Sequence, residues 1–327
     1  MRAVRIESGS LRYDPGAPEP RPETGSALVR VHRVLITGTD LGVAAGVIPH
    51  AGVPGQAFAG VVERVVGPDP RGLTGRLVVA SPDLPEPGSE LARRGLGAHD
   101  PRRAVLGVRG RDGCLADLIA LPSVALTPVP EGIDADRAVF ALPLSRALHA
   151  AQIVRIPGKP FVTVIGDNLA GLLAAQVLAR LNASVRLLGA RPDRLERCAR
   201  WGVKHRHRDE AGRWADQDVV VCAERRPEDF ALACDLARPR ATIVLLGESP
   251  DHAPGGACDL APVIERELTV AGARCGSLGE GVELLRSGLV DLDGLVTRRF
   301  GLDEAAQAFR AAADPASIAV VVDAERA

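Results

Sequence analysis

The feature that most constrains this chain is a sustained alternation of apolar runs and helical patterns beginning near residue 160. FVTVIG (161–166) is a continuous apolar run, the pattern of a strand covered on both faces. LAGLLAAQVLARL (169–181) follows with helical character. Then come SVRLLG (184–189), the helical PDRLERCARWG, QDVVVCA (217–223), the helical FALACDLARP, ATIVLLG (241–247) and LTVAGARCG (268–276). Strand, helix and strand in this succession predict a parallel sheet with helices on both faces and right-handed crossovers. PLSRALHAAQIV leads into the block as a helix. Beyond it, GEGVELLRSG and FGLDEAAQAFRAAADP read as helices and SIAVVVD as a last strand.

The chain before this block is different. MRAVRIESGSLRY alternates like a strand, and ALVRVHRVLI (27–36), AGVVERVV (59–66), GRLVVAS (75–81) and CLADLIALP (114–122) are short Val- and Leu-rich runs punctuated by Gly and Pro. Residues 82–103 form a polar excursion without strand character, of a length that usually reflects function. At 327 residues the chain has room for two domains. Aromatic residues make up only 3 %, so the core must rest on Ala, Val, Leu and Ile. A net charge of −1 argues against a nucleic-acid binder or a basic membrane-surface protein. No apolar stretch is long enough to span a bilayer, and the N-terminus lacks a signal peptide's apolar centre, so a cytoplasmic protein is expected. Cys114, Cys198, Cys222, Cys234, Cys258 and Cys275 are scattered with no CxxC pair, the usage of free thiols in a reducing compartment.

LITGTD (35–40), VPGQAFAGVVE (53–63), FALPLSRALHA (140–150), VIGDNLAGLLAAQVL (164–178) and RSGLVDLDGLVTRRFGLDEAAQAF (286–309) together resemble the medium-chain dehydrogenase/reductase superfamily, the zinc-type alcohol dehydrogenases, over essentially the whole length. The resemblance implies an α/β protein: a GroES-like β-rich domain (1–143 and 276–327) interrupted by a Rossmann doubly wound parallel sheet (144–275). Cofactor and substrate would share the cleft between them, and the last strand, TVAGARCG (269–276), would pair with a second subunit.

The resemblance also places a catalytic zinc, and there this chain departs from it. Thr37 stands where the family has cysteine. Gln56 and Ala57 replace histidine and glutamate, and Leu142 replaces a glutamate or cysteine. Zinc takes thiolate, imidazole or carboxylate ligands, and none of these residues supplies one. His50 and His149 are the nearby candidates for substitution, and the family also has histidine at the His149 position, usually not as a ligand. Thr39 matches the hydroxyl that relays protons from a zinc-bound alcohol. The family's four-cysteine structural lobe aligns with Glu86, Ser89, Ala92 and Asp100, so a loop without metal is expected, with Glu86 and Asp100 solvated. No metal is expected at either place.

The dinucleotide fingerprint is also altered. VIGDNLAG follows a strand and opens a helix, the context such a fingerprint needs. Gly166 and Gly171 match its first and third glycines, and Asn168 replaces the second, projecting a side chain toward the phosphates. Glu224 and Arg225 stand where the family has a small Thr-Gly, and a carboxylate beside a pyrophosphate is repulsive. Ala319 occupies a position that the family gives to a phosphate-contacting Lys or Arg. In the other direction, Gly189 replaces the acid of NAD-preferring proteins and Arg191 and Arg194 follow it, a pattern that favours NADP(H) over NAD(H). A chain rich in arginine also places such residues at helix starts by chance. Ser145 and Arg146 follow Leu142 on a helix, with Arg146 one turn on from Leu142, suited to an interdomain salt bridge or to an anion. KHRHRD (204–209) reads as a solvated basic turn with His205 and His207 beside Cys198.

Three functions stay open. The first is a zinc-less member that has lost conventional zinc-dependent alcohol oxidation, acting as a non-catalytic partner subunit or a repurposed biosynthetic protein. The second is a zinc-independent NADP(H)-dependent oxidoreductase resembling quinone or enoyl reductases. The third is a small-molecule sensor using the interdomain cleft. In the first two, Thr37, Thr39, Gln56 and Arg146 would line the cleft, and Gly166, Asn168, Gly171 and Arg191 would form the degenerate nucleotide site. A homodimer, or a heteromer with a related dehydrogenase, is expected.

Overall fold

The computed structural model describes residues 1–7, 9–154, 158–181, 183–224, 226–246 and 257–326. They fall into two units, Met1–Leu142 with Leu292–Ala327, and Pro143–Asp291.

The first unit opens with an antiparallel hairpin, β1 (Ala3–Glu7) and β2 (Ser10–Asp14). Next come β3 (Ser26–Leu35), helix α1 (Gly38–Ala44), β4 (Ala57–Val65) and β5 (Leu77–Ala80). The polar excursion contains β6 (Asp83–Leu84) and helix α2 (Glu90–Arg93), followed by β7 (Ala104–Leu106) and β8 (Gly110–Arg111). Then β9 (Leu118–Pro122), β10 (Leu126–Pro128) and α3 (Ala135–Ala138) follow.

The second unit carries α4 (Ala141–Gln152), β11 (Phe161–Ile165), α5 (Leu169–Arg180), β12 (Ser184–Gly189), α6 (Pro192–Arg200) and β13 (Lys204–His207). It continues with β14 (Gln217–Cys222), α7 (Pro227–Leu236), β15 (Ala237–Leu245), α8 (Ala261–Glu265), β16 (Thr269–Gly272) and α9 (Leu278–Arg286). The chain returns to the first unit with β17 (Val296–Gly301), α10 (Ala305–Ala313) and β18 (Ala319–Asp323).

In the first unit the main sheet runs β10-β5-β4-β3-β18-β17, with β9 also on β3. Its core is Val29, Val31, Val34, Phe58, Val62, Leu121 and Phe309 with their neighbours. In the second, six strands run in the order β13-β12-β11-β14-β15-β16, every pair parallel. Ile165, Leu188, Val220, Cys222 and Ile243 form its buried centre with Leu232 and Leu236 of α7. The order reverses between β11 and β14, and ligands of open α/β sheets bind outside the carboxyl ends of the strands at such a switch point. Burial holds Cys198 and Cys222 as thiols, pushed up to about 12.

Three local expectations need correction. The excursion was read as free of strand, yet β6 pairs antiparallel with β7; two residues are too few to show alternation. KHRHRD is not a turn: residues 204–207 form β13, the edge of the parallel sheet, where solvent rather than a core faces the strand and polar side chains are tolerated. The strand read over 241–247 starts earlier, at Ala237, and Gly247 lies outside the described residues. Helices α1, α2, α3 and α8 span seven, four, four and five residues, too short for helical periodicity to emerge. No helix among the described residues is long and apolar enough to cross a membrane.

Candidate functional site

In the first unit, Thr37 and Gln56 come to one end of the β3–β4 pair, because Leu35 of β3 is registered with Ala57 of β4. Thr37 is the N-cap of α1, and its hydroxyl donates to Asp40 Oδ2 at 2.8 Å. The same carboxylate oxygen accepts the Thr37 backbone N–H, also at 2.8 Å, completing a capping box. Gln56 is 3 % exposed and its Nε2 donates to the Leu106 carbonyl at 3.3 Å. Ala57 and Leu142 are buried, and Thr39 is half-buried on α1. His50 Nε2 lies 3.1 Å from the Val53 carbonyl. Cys114 is fully buried, and burial, reinforced by Asp40, pushes its thiol well above the ordinary range, which disfavours the thiolate a metal requires. Hydroxyl, amide, methyl and isobutyl groups therefore stand at the four positions the resemblance gives to zinc ligands, and they do not fit the ion. Among the described residues no three His, Cys, Asp or Glu side chains are grouped to hold a metal.

The excursion between β5 and β7 is built around a carboxylate. Asp100, expected in solvent, is 1 % exposed. The Ser89 hydroxyl, above all, and the backbone N–H groups of Arg102 and Glu86 hold its carboxyl below the ordinary value. Its bond to the Arg102 N–H is 2.9 Å, and the Glu86 side chain pairs with Arg102 at 2.8 Å. Three of the four positions aligned with the lobe's cysteines thus converge, with a hydrogen-bonded carboxylate at their centre.

In the second unit the carboxyl ends of β11, β12 and β14 surround Gly166, at φ +110°, and the start of α5. Gly171 is packed so closely that an added Cβ would lie 2.0 Å from the Gly166 carbonyl oxygen. Asn168 does not project toward a ligand. It is the N-cap of α5: Oδ1 accepts the Gly171 N–H at 2.9 Å, and Nδ2 donates to the Ala223 carbonyl at 2.8 Å. Both ends of the amide find partners in the protein, which is why it turns inward.

Asp167, the residue between Gly166 and Asn168, is 6 % exposed. Its Oδ2 accepts the backbone N–H groups of Ala190 at 3.0 Å and Arg191 at 2.8 Å, just past the end of β12. A Cβ at Gly189 would lie 2.7 Å from this carboxylate, so the glycine there makes room for Asp167. Arg194 is buried, with Nη1 donating to the Asp167 carbonyl at 3.1 Å and lying 3.7 Å from its Oδ1. The expectation that Arg191 and Arg194 together await a 2′-phosphate is corrected for Arg194, which is turned onto Asp167. Arg191 spends its backbone N–H on the same carboxylate, while its half-buried side chain has no ion pair among the described residues.

Glu224 lies over Gly166, its Cγ 3.3 Å from where a Cβ would be, and pairs with Arg226. Burial pushes its carboxyl up despite that partner, with Asp229 and Asp167 adding to the rise. Arg225 lies outside the described residues. Ala319 opens β18 in the first unit and is buried there. Arg146 is half-buried on α4, next to Ser145, whose carbonyl packs so closely on Gly276 that a Cβ there would lie 1.9 Å away. The carboxyl end of the sheet is thus lined by the carboxylates of Asp167 and Glu224, and helix and strand-end donors that bind phosphate in such folds are engaged by Asn168 and Asp167. Asp167 was missed in the sequence. The available signal was an acid inside the glycine fingerprint together with the glycine ending the next strand.

A family model described as the alcohol dehydrogenase GroES-like domain matches residues 23–131. L-threonine 3-dehydrogenase of Ruegeria pomeroyi is 27 % identical over 93 % of this chain and 94 % of its own. The alcohol dehydrogenase TADH from Thermus sp. ATN1 superposes with a TM-score of 0.86 at 26 % identity, over 99 % of both chains. A short chain alcohol dehydrogenase from Escherichia coli CFT073, solved with the cofactor NADH, superposes with a TM-score of 0.88 at 22 % identity over 99 % of both chains, a likeness of fold. With the GroES-like match in the first unit, a doubly wound parallel sheet in the second and full-length likeness to these dehydrogenases, the chain carries an alcohol dehydrogenase GroES-like domain and is similar throughout to the medium-chain dehydrogenase/reductase superfamily.

Proposed function

We propose that this chain keeps the oxidoreductase fold of its superfamily while having given up zinc-dependent alcohol oxidation and conventional dinucleotide binding, and that it serves as a partner subunit or a repurposed biosynthetic protein. The observation that carries this reading is the Asp167 carboxylate, which accepts the N–H groups of Ala190 and Arg191 and faces Arg194. It puts a negative charge at the end of β12, where the 2′-phosphate of NADP(H) would be repelled, while Asn168 takes up the Gly171 N–H at the start of α5, where a pyrophosphate would sit. Thr37, Ala57, Gln56 and Leu142 support the same reading by offering no zinc ligand. Pairing through β16, with a second copy or a related dehydrogenase, fits this role. β16 is the last strand of its sheet, with Val270 41 % exposed, and an unpaired apolar edge is an aggregation hazard. Titration calorimetry with NADPH and NADH tests the proposal: no binding tighter than that of inorganic phosphate is expected with either nucleotide.

One observation favours a second reading, a zinc-independent NADP(H) oxidoreductase. The Arg191 side chain has no ion pair among the described residues and sits at the start of α6, where a 2′-phosphate would be met. Tight binding of NADPH but not NADH in the same titration selects it.

A further inference from the structure

The outer edge of the parallel sheet, in the middle of β12 and along β13, carries a cleft of about 510 Å³ lined by Arg186, Gly202, Val203, Lys204, His205 and Arg206. Arg186 is registered with Lys204, and Leu188 with Arg206. Residues two apart on a strand share a face, so the three cations lie together on one face of the two strands. Arginines elsewhere in this protein repeatedly meet carboxylates: Arg2 with Asp117, Arg33 with Asp136 and Asp323, Arg103 with Asp83, Arg208 with Asp229. Arg186, Lys204 and Arg206 make no ion pair among the described residues, although the chain as a whole carries a net charge of −1.

The guanidinium of Arg186 is also oriented from beneath. Its Nε and Nη2 donate to Thr163 Oγ1 at 3.3 and 3.1 Å. The Thr163 hydroxyl, wholly buried on β11, donates to Gln217 Oε1 at 2.7 Å, and Gln217 Nε2 donates to Asp216 Oδ1 at 2.6 Å. Four polar side chains are strung through an otherwise apolar sheet, and their outer end is a cation with its remaining N–H groups uncommitted. Asp216, which accepts from Gln217, is the carboxylate that acts on Arg186 through space. Burial lowers the Arg186 pKa, Asp216 works against that, and Arg206 lowers it further.

We propose that this cleft binds a phosphate group, free or carried on a small metabolite, at a site separate from the carboxyl ends of the strands. An oriented guanidinium beside an ammonium and a second guanidinium matches a dianion with several acceptor oxygens. The backbone of Gly202, at φ +70°, leaves the approach open, since an added Cβ there would meet nothing.

The test is titration of the full chain with inorganic phosphate and, separately, with ribose 5-phosphate, against sodium chloride at matched ionic strength. Saturable binding with a dissociation constant of about 1 mM or tighter is expected, absent with chloride. Tighter binding of the sugar phosphate identifies a metabolite as the source, and equal binding identifies free phosphate. Arg186→Gln should weaken binding at least fivefold. Arg186 also anchors the Thr163 network, so the exposed double variant Lys204→Ala/Arg206→Ala carries the test independently of folding, with at least a fivefold loss. Arg94→Ala, an exposed change in the other unit, should leave the affinity unchanged. Phosphate acting no differently from chloride, or the double variant binding as the unmodified protein does, overturns the proposal.

Discussion

Asp167 Oδ2 lies 2.8 Å from the backbone nitrogen of Arg191, joining the glycine fingerprint after β11 to the start of α6. A single carboxylate thereby ties two strand ends together, and with Asn168 capping α5 it engages donors that bind phosphate in such folds. Removing both should reopen the end. In Asp167→Ala/Asn168→Gly the Ala190, Arg191 and Gly171 N–H groups are released. Losing the Asp167 bonds will lower stability by about 1–3 kcal/mol, while Asn to Gly at the cap costs only about a few tenths of a kcal/mol. The variant should bind NADPH measurably, and more tightly than NADH because the Arg191 guanidinium remains. Equal silence toward both nucleotides would show that something other than these two side chains closes the end.

Glu224 gives a pH signature. Burial raises its folded value above the ordinary 4.5. A raised acid favours the folded state fully only below its unfolded value, and that contribution is lost as pH rises through the folded value. Glu224→Gln should therefore be more stable than the unmodified protein at pH 7, by about 0.5 kcal/mol given partial solvent screening. The gap should close toward pH 4. Denaturant melts at both pH values check it, and a variant less stable at pH 7 contradicts it.

Asp100 gives the opposite signature. The Ser89 hydroxyl and two backbone N–H groups hold it below 3.8 in the folded chain. Its contribution is present above that value and lost as pH falls through the folded one. Asp100→Asn should speed hydrogen exchange across residues 86–103 at pH 7. On acidification below the folded value, the unmodified protein should approach the variant. Unchanged exchange at pH 7 would mean the loop holds its shape without the carboxylate.

Thr37 separates a cap from a ligand. Thr37→Val removes the side-chain half of the capping box and should cost about 1 kcal/mol in urea denaturation. Protein purified without added metal should carry zinc far below one per chain, before and after the change. Near-stoichiometric zinc would show that the Thr37, Gln56 and Leu142 positions mislead about the site.

The parallel sheet was legible because both faces of β11, β12, β14 and β15 are covered, and continuous apolar runs such as FVTVI and DVVVC have few other uses. The edge strand β13 was not, because KHRH faces solvent and carries no apolar pattern. At the site, composition told which residues replaced Cys, His and Glu but not where the replacements point. Asn168 reads from sequence as an obstacle in a phosphate site, yet in the fold its amide has two protein partners closer at hand. Asp100 reads as a solvated surface acid, and only the convergence of Ser89, Glu86 and Arg102 shows why it is buried. These outcomes depend on backbone donors brought together by the chain's path, which no local pattern encodes.

The central claim is that the protein's own side chains close its dinucleotide end. It is tested most directly by thermal denaturation with NADPH in a chain that keeps Asp167 and Asn168. A ligand at 100 times its dissociation constant adds about 2.7 kcal/mol of stability, a readily visible rise in midpoint. The account predicts no rise at millimolar NADPH beyond that given by chloride at equal ionic strength in the Lys204→Ala/Arg206→Ala background, where the proposed phosphate cleft is disabled. A saturable rise with micromolar NADPH in that background would contradict it.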